Sequence, residues 1–164
     1  MAVVMAMSEE ELLSFVPEKT PTHFCHCPNC HGGSQGSRVL GWDVANPEQL
    51  TCNYCGMVFP NEQYPADRMI EGKNVLGEIV QYSYHQDREY DDLRIFYEGH
   101  ILEHKRTWIL ERAYELAKAY GVTGKPEYAR RVALILDRIT QVYPHYPVMK
   151  QWIRLFEFAP SQEP

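Results

Sequence analysis

Two pairs of cysteines near the N-terminus constrain this chain more than any other feature. Cys27 and Cys30 form one Cys-x-x-Cys pair, Cys52 and Cys55 form a second, and 21 residues separate the two pairs. Four thiolates can surround a metal ion as a tetrahedron, and a two-residue gap lets each pair bind the ion from one tight turn. The spacing therefore predicts a four-cysteine zinc site within a small zinc-ribbon-like module.

Other groups near the first pair compete for the ion. The candidates to replace a paired cysteine are Cys25, His23, His26 and His31. A redox pair or a disulfide is the alternative reading of a Cys-x-x-Cys motif, but two such pairs without a surrounding βαβ pattern favour metal. With four protein ligands no position is open for a reacting water, so we expect a structural ion. Cys25 is then a spare buried thiol.

The charge of the chain argues against two classes of partner. The 164 residues carry a net charge of −6, with −9 in residues 1–99 and +3 in residues 100–164. Between residues 23 and 65 the only lysine or arginine is Arg38, whereas a nucleic-acid-binding ribbon needs cations that face phosphates. No apolar run approaches the length of a membrane span. We predict neither a nucleic-acid nor a membrane partner.

The pattern along the chain predicts four segments. They are an N-terminal helix and linker (1–22), the zinc-ribbon-like module (23–66), an extended or β-hairpin arm (67–96) and an αα-hairpin region (97–164). From about Tyr97 apolar residues recur at helical spacing, and Gly121 stands where a helix C′ residue is expected. Pro126 begins a second helix and Pro144 ends it. The short connector requires the two helices to be antiparallel neighbours.

The apolar start of the chain is short and lacks basic residues, and Ser8 follows as a helix N-cap, so no signal peptide is predicted.

The helical region carries a family resemblance. Residues 116–129 read LAKAYGVTGKPEYA, and a helix ending in Tyr143-Pro144 follows them. This string resembles the N-terminal helices of heparinase II/III-like and alginate-lyase-like polysaccharide lyases, and the cysteine pairs resemble a metal-binding insert of some members. The resemblance covers roughly residues 23–150. It implies a mainly α fold with a small β zinc ribbon, in which the first helical hairpins of an incomplete α/α toroid follow the four-cysteine module.

The resemblance also implies a reaction, a substrate class and a compartment. Such lyases act on anionic, uronic-acid-containing polysaccharides by β-elimination, which requires neutralisation of the carboxylate and removal of the C5 proton. The family's catalytic asparagine, histidine and tyrosine cannot be mapped onto this sequence. We therefore expect the 164-residue chain to be an N-terminal portion of such a lyase that is not catalytic alone. The compartment is cytoplasmic on the sequence alone, and secreted or periplasmic if the full-length protein is a lyase.

Aromatic and cationic residues at the start of the helical region are the candidates for sugar contact. Aromatic rings stack on sugar rings, and arginines pair with carboxylates or sulfates. The candidate substrate-binding residues are Tyr97, His100, His104, Arg106 and Trp108. Residues 152–158, which read WIRLFEF, are apolar for a surface helix and predict a missing C-terminal segment or a protein partner.

Two alternative functions stay open. The first is a non-enzymatic, zinc-stapled helical module that binds a protein. The second is a zinc peptidase, because residues 100–104 read HILEH and match the H-x-x-E-H pattern. That pattern needs a further glutamate ligand downstream, for which the chain offers Glu157 and Glu163, and two cations follow it directly. The peptidase is the least favoured of the three functions.

Overall fold

A computed structural model describes residues 2–19, 25–33, 39–73, 76–89 and 93–146. His23, Arg38, Glu157, Glu163 and the apolar segment 152–158 lie outside the described residues. The helices are α1 (Ala2–Ala6), α2 (Glu9–Leu13), α3 (Tyr97–Thr123) and α4 (Pro126–Val142). The strands are β1 (Leu40–Trp42), β2 (Leu50–Cys52), β3 (Val58–Phe59), β4 (Arg68–Lys73), β5 (Ile79–Asp87) and β6 (Leu93–Ile95).

The fold is mixed, and the predicted mainly α class with the first hairpins of an incomplete α/α toroid is wrong. The strands form two three-stranded antiparallel sheets, β1-β2-β3 and β4-β5-β6. Among the described residues only α3 and α4 are long helices, which is one hairpin and not a toroid. The error arose in the predicted arm, where β5 pairs with both neighbours, Arg68 facing Tyr84 and Asp87 facing Leu93.

The first sheet is the ribbon that carries the cysteine pairs. Leu40 on β1 faces Cys52 on β2, and Leu50 on β2 faces Phe59 on β3. Leu40, Leu50 and Phe59 are fully buried, and they share a core with Ile101 on α3. Strands β1, β2 and β3 lie beside the cysteine pairs, and the ribbon packs on the first turns of α3.

The helical hairpin has a tighter connector than predicted. Gly121 does not cap the first helix, because α3 continues to Thr123. Gly124 is the capping residue, with a left-handed φ of 66° and an N–H that donates to the carbonyl of Tyr120 at 2.8 Å. Pro126 is the first residue of α4, as predicted. Two connecting residues make the helices antiparallel neighbours.

The two N-terminal helices pack against this hairpin. Ser8 caps α2 as predicted, since its Oγ accepts a hydrogen bond from the N–H of Glu11 at 3.0 Å. Val4 and Leu12 are fully buried in a core with Leu116 and Ile135 from the long helices. Within the described ranges, no helix combines the length and the apolar character that a membrane crossing requires.

Candidate metal centre

The four paired cysteines come together at one point between the two turns that carry them. The sulfur atoms of Cys27 and Cys55 lie 3.7 Å apart, and those of Cys30 and Cys52 lie 3.8 Å apart. All four sulfur atoms lie within 4.8 Å of one another. These separations are far longer than the roughly 2.05 Å of a disulfide, and all four thiols are free. The cluster could hold a metal ion.

Backbone N–H groups in the two turns point at the sulfur atoms. The N–H of Gly32 lies 3.3 Å from the sulfur of Cys30, and the N–H of Tyr54 lies 3.4 Å from the sulfur of Cys52. The second turn is closed by Gly56, whose N–H donates to the carbonyl of Cys52 at 2.9 Å. Gly56 has a left-handed φ of 74°, which glycine adopts without strain. Such amide donors stabilise thiolate charge, so the backbone favours the form of cysteine that binds a metal.

Burial and hydrogen bonding shift the pKa values of Cys27 and Cys55 in opposite directions. Burial raises the pKa of Cys27, whose side chain is fully enclosed. The pKa of the exposed Cys55 is lowered to about 6 by hydrogen bonds from the N–H of Met57 and then from the side-chain amide of Asn29. Cys55 therefore offers a thiolate near neutral pH, whereas a metal must displace a proton from Cys27.

The residues that compete for the ion lie elsewhere. Cys25 is buried, which raises its pKa, and its sulfur contacts the carbonyl of His26 at 3.9 Å. The Nε2 atoms of His26 and His31 face the carboxylate of Asp87, at 2.8 and 3.1 Å. Cys25, His26 and His31 are thus outside the sulfur cluster, and His23 is among the residues not described. Asp87 carried no sequence signal, because its partners lie 56 and 61 residues away along the chain.

Side chains on α3 hold the ribbon through its first strand and the turn after it. The Nε2 atom of His104 donates to the carbonyl of Leu40 at 3.1 Å. The buried Lys105 donates its Nζ to the carboxylate of Glu48 at 2.5 Å. Trp42 closes the turn, since its indole N–H donates to the carbonyl of Pro47 at 2.9 Å. The four-cysteine cluster and the helix are therefore parts of one packed unit.

Two of the predicted substrate-binding residues lie in the interior. Tyr97 is 1% exposed, and its ring stacks on Phe59 with 5.3 Å between centroids. His100 is 0% exposed and contacts the ring of His104 edge to face at 4.8 Å. In this arrangement the rings of Tyr97 and His100 present no face to solvent on which a sugar could stack.

The other three predicted substrate-binding residues are partly exposed but engaged. The ring of His104 lies parallel to Trp42, and Trp108 contacts Trp42 with 6.4 Å between centroids. Arg106 pairs with Glu103 one turn earlier at 2.6 Å. The structure brings His104 and Trp108 into one aromatic cluster and leaves Arg106 beside it. Contact of any of the five residues with a sugar stays a prediction.

The H-x-x-E-H motif is not arranged as a metal site. The Nε2 of His104 is bonded to the carbonyl of Leu40, and the carboxylate of Glu103 is paired with Arg106. Across the described part of the chain, no group of three metal-ligating side chains includes His100 or His104. His104 instead joins α3 to the ribbon.

One further concave region was not predicted. A cavity of about 580 Å³ lies among α2, α3, α4 and the segment that follows α2. It contains two ion pairs, Lys19 with Glu98 at 2.6 Å and Arg138 with Glu18. These partners are more than 70 residues apart in sequence, so no local pattern could indicate that they meet.

Comparison of the chain with models of protein families, with curated proteins and with solved structures found no match. The resemblance to polysaccharide lyases accordingly rests on the sequence strings alone.

Proposed function

We propose that this chain holds one structural zinc ion at Cys27, Cys30, Cys52 and Cys55, and that the ion joins the two cysteine turns of the ribbon. The observation that carries the proposal is the spacing of the sulfur atoms. A tetrahedral ion with zinc–sulfur bonds of about 2.3 Å places its ligands about 3.8 Å apart. The 3.7 and 3.8 Å separations of the two sulfur pairs match that edge.

The donor set favours zinc or iron over hard cations. Four soft thiolates in a tetrahedron suit zinc or iron, whereas hard cations such as magnesium and calcium require oxygen ligands. Four protein ligands leave no position for a reacting water. The site is therefore structural, and its role is to hold two turns of the chain together.

The ribbon needs such a connection because its strands are short. Strands β1 and β2 contain three residues each, and β3 contains two. Small sheets of this kind are marginally stable without further support. A zinc ion that joins the turn at residues 27–30 to the turn at residues 52–55 makes its binding free energy available to the folding of the ribbon.

The test compares zinc retention in the wild type and three variants. Cys30→Ala and Cys55→Ala each remove an exposed sulfur without opening a core cavity, and Cys25→Ala removes a thiol outside the cluster. After dialysis against a weak chelator, elemental analysis should find one zinc fewer per chain in Cys30→Ala and Cys55→Ala than in the wild type and Cys25→Ala. Equal zinc contents in all four proteins, or a lower zinc content in Cys25→Ala than in the wild type, would contradict the proposed ligand set.

We also propose that these residues are the N-terminal portion of a heparinase II/III-like polysaccharide lyase and are not catalytic alone. The support is the resemblance of residues 116–129, together with apolar side chains left at the surface of the hairpin. Tyr114 on α3 is 66% exposed and Leu136 on α4 is 50% exposed. Exposed apolar side chains on both helices fit a hairpin that packs against further protein.

Product formation distinguishes this proposal from a protein-interaction module. β-Elimination leaves an unsaturated uronate whose conjugated double bond absorbs ultraviolet light. The protein encoded by the complete reading frame should generate this absorbance from an anionic uronic-acid polysaccharide, and the 164-residue chain should not. Absence of product across heparin, heparan and alginate substrates would favour the interaction module, and product from the 164-residue chain would overturn the statement that it is not catalytic alone.

A further inference from the structure

The first cysteine turn is flanked by a second group of metal-ligating side chains. His26 precedes Cys27, His31 follows Cys30, and Asp87 is the last residue of β5. The two histidine Nε2 atoms and a carboxylate oxygen of Asp87 lie within 4.8 Å of one another. This group, which we call the His-Asp cluster, belongs neither to the four-sulfur site nor to the lyase-like sequence strings.

Both imidazoles converge on the same oxygen atom. The Nε2 of His26 lies 2.8 Å from Oδ2 of Asp87, and the Nε2 of His31 lies 3.1 Å from that same oxygen. The two rings are stacked, with 29° between their planes and 5.9 Å between their centroids. Ligand atoms bound at about 2.0–2.2 Å to one first-row ion are separated by about 3.0–3.5 Å, so the side chains need to move apart by less than about 1 Å to share an ion.

Two backbone hydrogen bonds and one unusual backbone conformation hold Asp87 and His31 in place. The other oxygen of Asp87, Oδ1, accepts the N–H of Glu89 at 3.1 Å, which fixes the plane of the carboxylate. The N–H of His31 donates to the carbonyl of Cys27 at 3.0 Å. His31 adopts a left-handed φ of 48°, a conformation that non-glycine residues rarely take and that is found at functional sites.

Accessibility and charge favour an ion with an open coordination position. The side chains of His26 and Asp87 are 5% exposed, whereas that of His31 is 30% exposed, so one side of the cluster reaches solvent. Two neutral imidazoles and one carboxylate leave a bound divalent ion with one positive charge. Four thiolates leave zinc with two negative charges, and the adjacent sites would attract each other.

We propose that His26, His31 and Asp87 form a second metal site, which binds a divalent transition-metal ion through two imidazole nitrogens and one carboxylate oxygen. Imidazole suits zinc and iron, and two histidines with one carboxylate are a ligand set that leaves positions for water or a small ligand. The site does not depend on the identity of the ion in the four-sulfur cluster.

Cobalt(II) added to zinc-loaded protein tests the proposal. Zinc is first supplied at one equivalent to fill the four-sulfur site, and cobalt(II) is then titrated with optical detection. We expect one cobalt to bind with visible d–d bands and without thiolate-to-cobalt charge transfer. Charge transfer would show instead that cobalt had entered the four-sulfur site, so failure of the zinc proposal is distinguishable from failure of this one.

Three variants assign the cobalt to the His-Asp cluster. Asp87→Asn keeps an acceptor for Glu89 and loses the anionic ligand, and His31→Asn keeps a residue that tolerates the left-handed conformation. Asp87→Asn and His31→Asn should each weaken cobalt binding at least tenfold, while the zinc content and the circular dichroism spectrum stay unchanged. Glu89→Gln is the matched control and should bind cobalt as the wild type does.

Two results would overturn the proposal. The first is a zinc-loaded wild type that retains no cobalt after gel filtration, which would leave the cluster as a hydrogen-bonded network only. The second is equal cobalt retention by the wild type and the doubly substituted His31→Asn/Asp87→Asn chain, provided that this chain still holds its zinc.

Discussion

The imidazole of His104 lies parallel to the indole of Trp42, with 6.1 Å between the ring centroids and 8° between the planes. The same imidazole donates to the carbonyl of Leu40, so one side chain of α3 contacts two residues of β1. A helical residue is thereby joined to the strand that follows the first cysteine turn. The junction between α3 and the ribbon is where the stability of the metal module and that of the helices are coupled.

Removal of this side chain should destabilise the protein measurably. His104→Ala leaves the carbonyl of Leu40 without its imidazole donor, so we expect the free energy of unfolding to fall by about 1–3 kcal/mol. Urea denaturation of the zinc-loaded protein measures the change. His145→Ala is the control, because His145 and its partner Glu78 are both about half exposed and such pairs contribute less than about 1 kcal/mol. An unfolding free energy of His104→Ala equal to that of the wild type would contradict this role of His104.

The pH dependence of stability should report the same histidine. Burial lowers the pKa of His104 below its ordinary value of about 6.5, against an opposing effect of the Leu40 carbonyl. The unfolded chain therefore binds more protons than the folded chain as the pH falls below that value, and the folded state loses stability on acidification. The wild type should lose stability more steeply below pH 6.5 than His104→Ala does. Parallel curves for the two proteins would show that His104 does not contribute.

A pair of tyrosine substitutions should change stability in opposite directions. The hydroxyl of Tyr97 is buried without a hydrogen-bond partner among the described residues, so Tyr97→Phe should leave the unfolding free energy unchanged or raise it by up to about 1–3 kcal/mol. The hydroxyl of Tyr146 donates to the carbonyl of Pro17 at 2.5 Å, so Tyr146→Phe should cost about 0.5–1.5 kcal/mol. Thermal or urea unfolding compares them. A clear loss of stability in Tyr97→Phe would mean that its hydroxyl is bonded.

Zinc removal should loosen one part of the molecule and leave another intact. The core around Leu40, Leu50 and Phe59 and the core around Leu116 and Ile135 are two clusters, and Trp42 packs against both of them. Chelation should therefore increase hydrogen exchange at the amides of β1 and β2, while amides in the centre of α4 keep their protection. Unchanged exchange throughout the ribbon after complete stripping would show that the ion does not stabilise the fold.

The cluster of four cysteines was predictable because its information is local. Two residues between Cys27 and Cys30, and two between Cys52 and Cys55, define turns whose geometry hardly depends on the rest of the chain. The helix cap at Ser8 and the start of α4 at Pro126 were predictable for the same reason. Each of these features is set by the chemistry of a few consecutive residues.

Features that depend on distant pairing were missed. The pairing of Arg68 with Tyr84 and of Asp87 with Leu93 builds a full sheet where an arm was expected, and Asp87 reaches the first cysteine turn only through that sheet. Tyr97 and His100 were expected to contact a sugar, but they are buried. The start of α3 packs against the ribbon, and the rest of the helix packs against α4. A helix enclosed on more than one side lacks the single apolar stripe from which burial is inferred.

X-ray absorption at the zinc edge identifies the atoms that are bound to the ion. The measurement is made on protein loaded with one equivalent of zinc, so that the tighter site dominates the signal. Our account predicts a first shell of four sulfur atoms at about 2.3 Å. A first shell in which nitrogen or oxygen atoms at about 2.0–2.2 Å replace one or more of the sulfurs would contradict it.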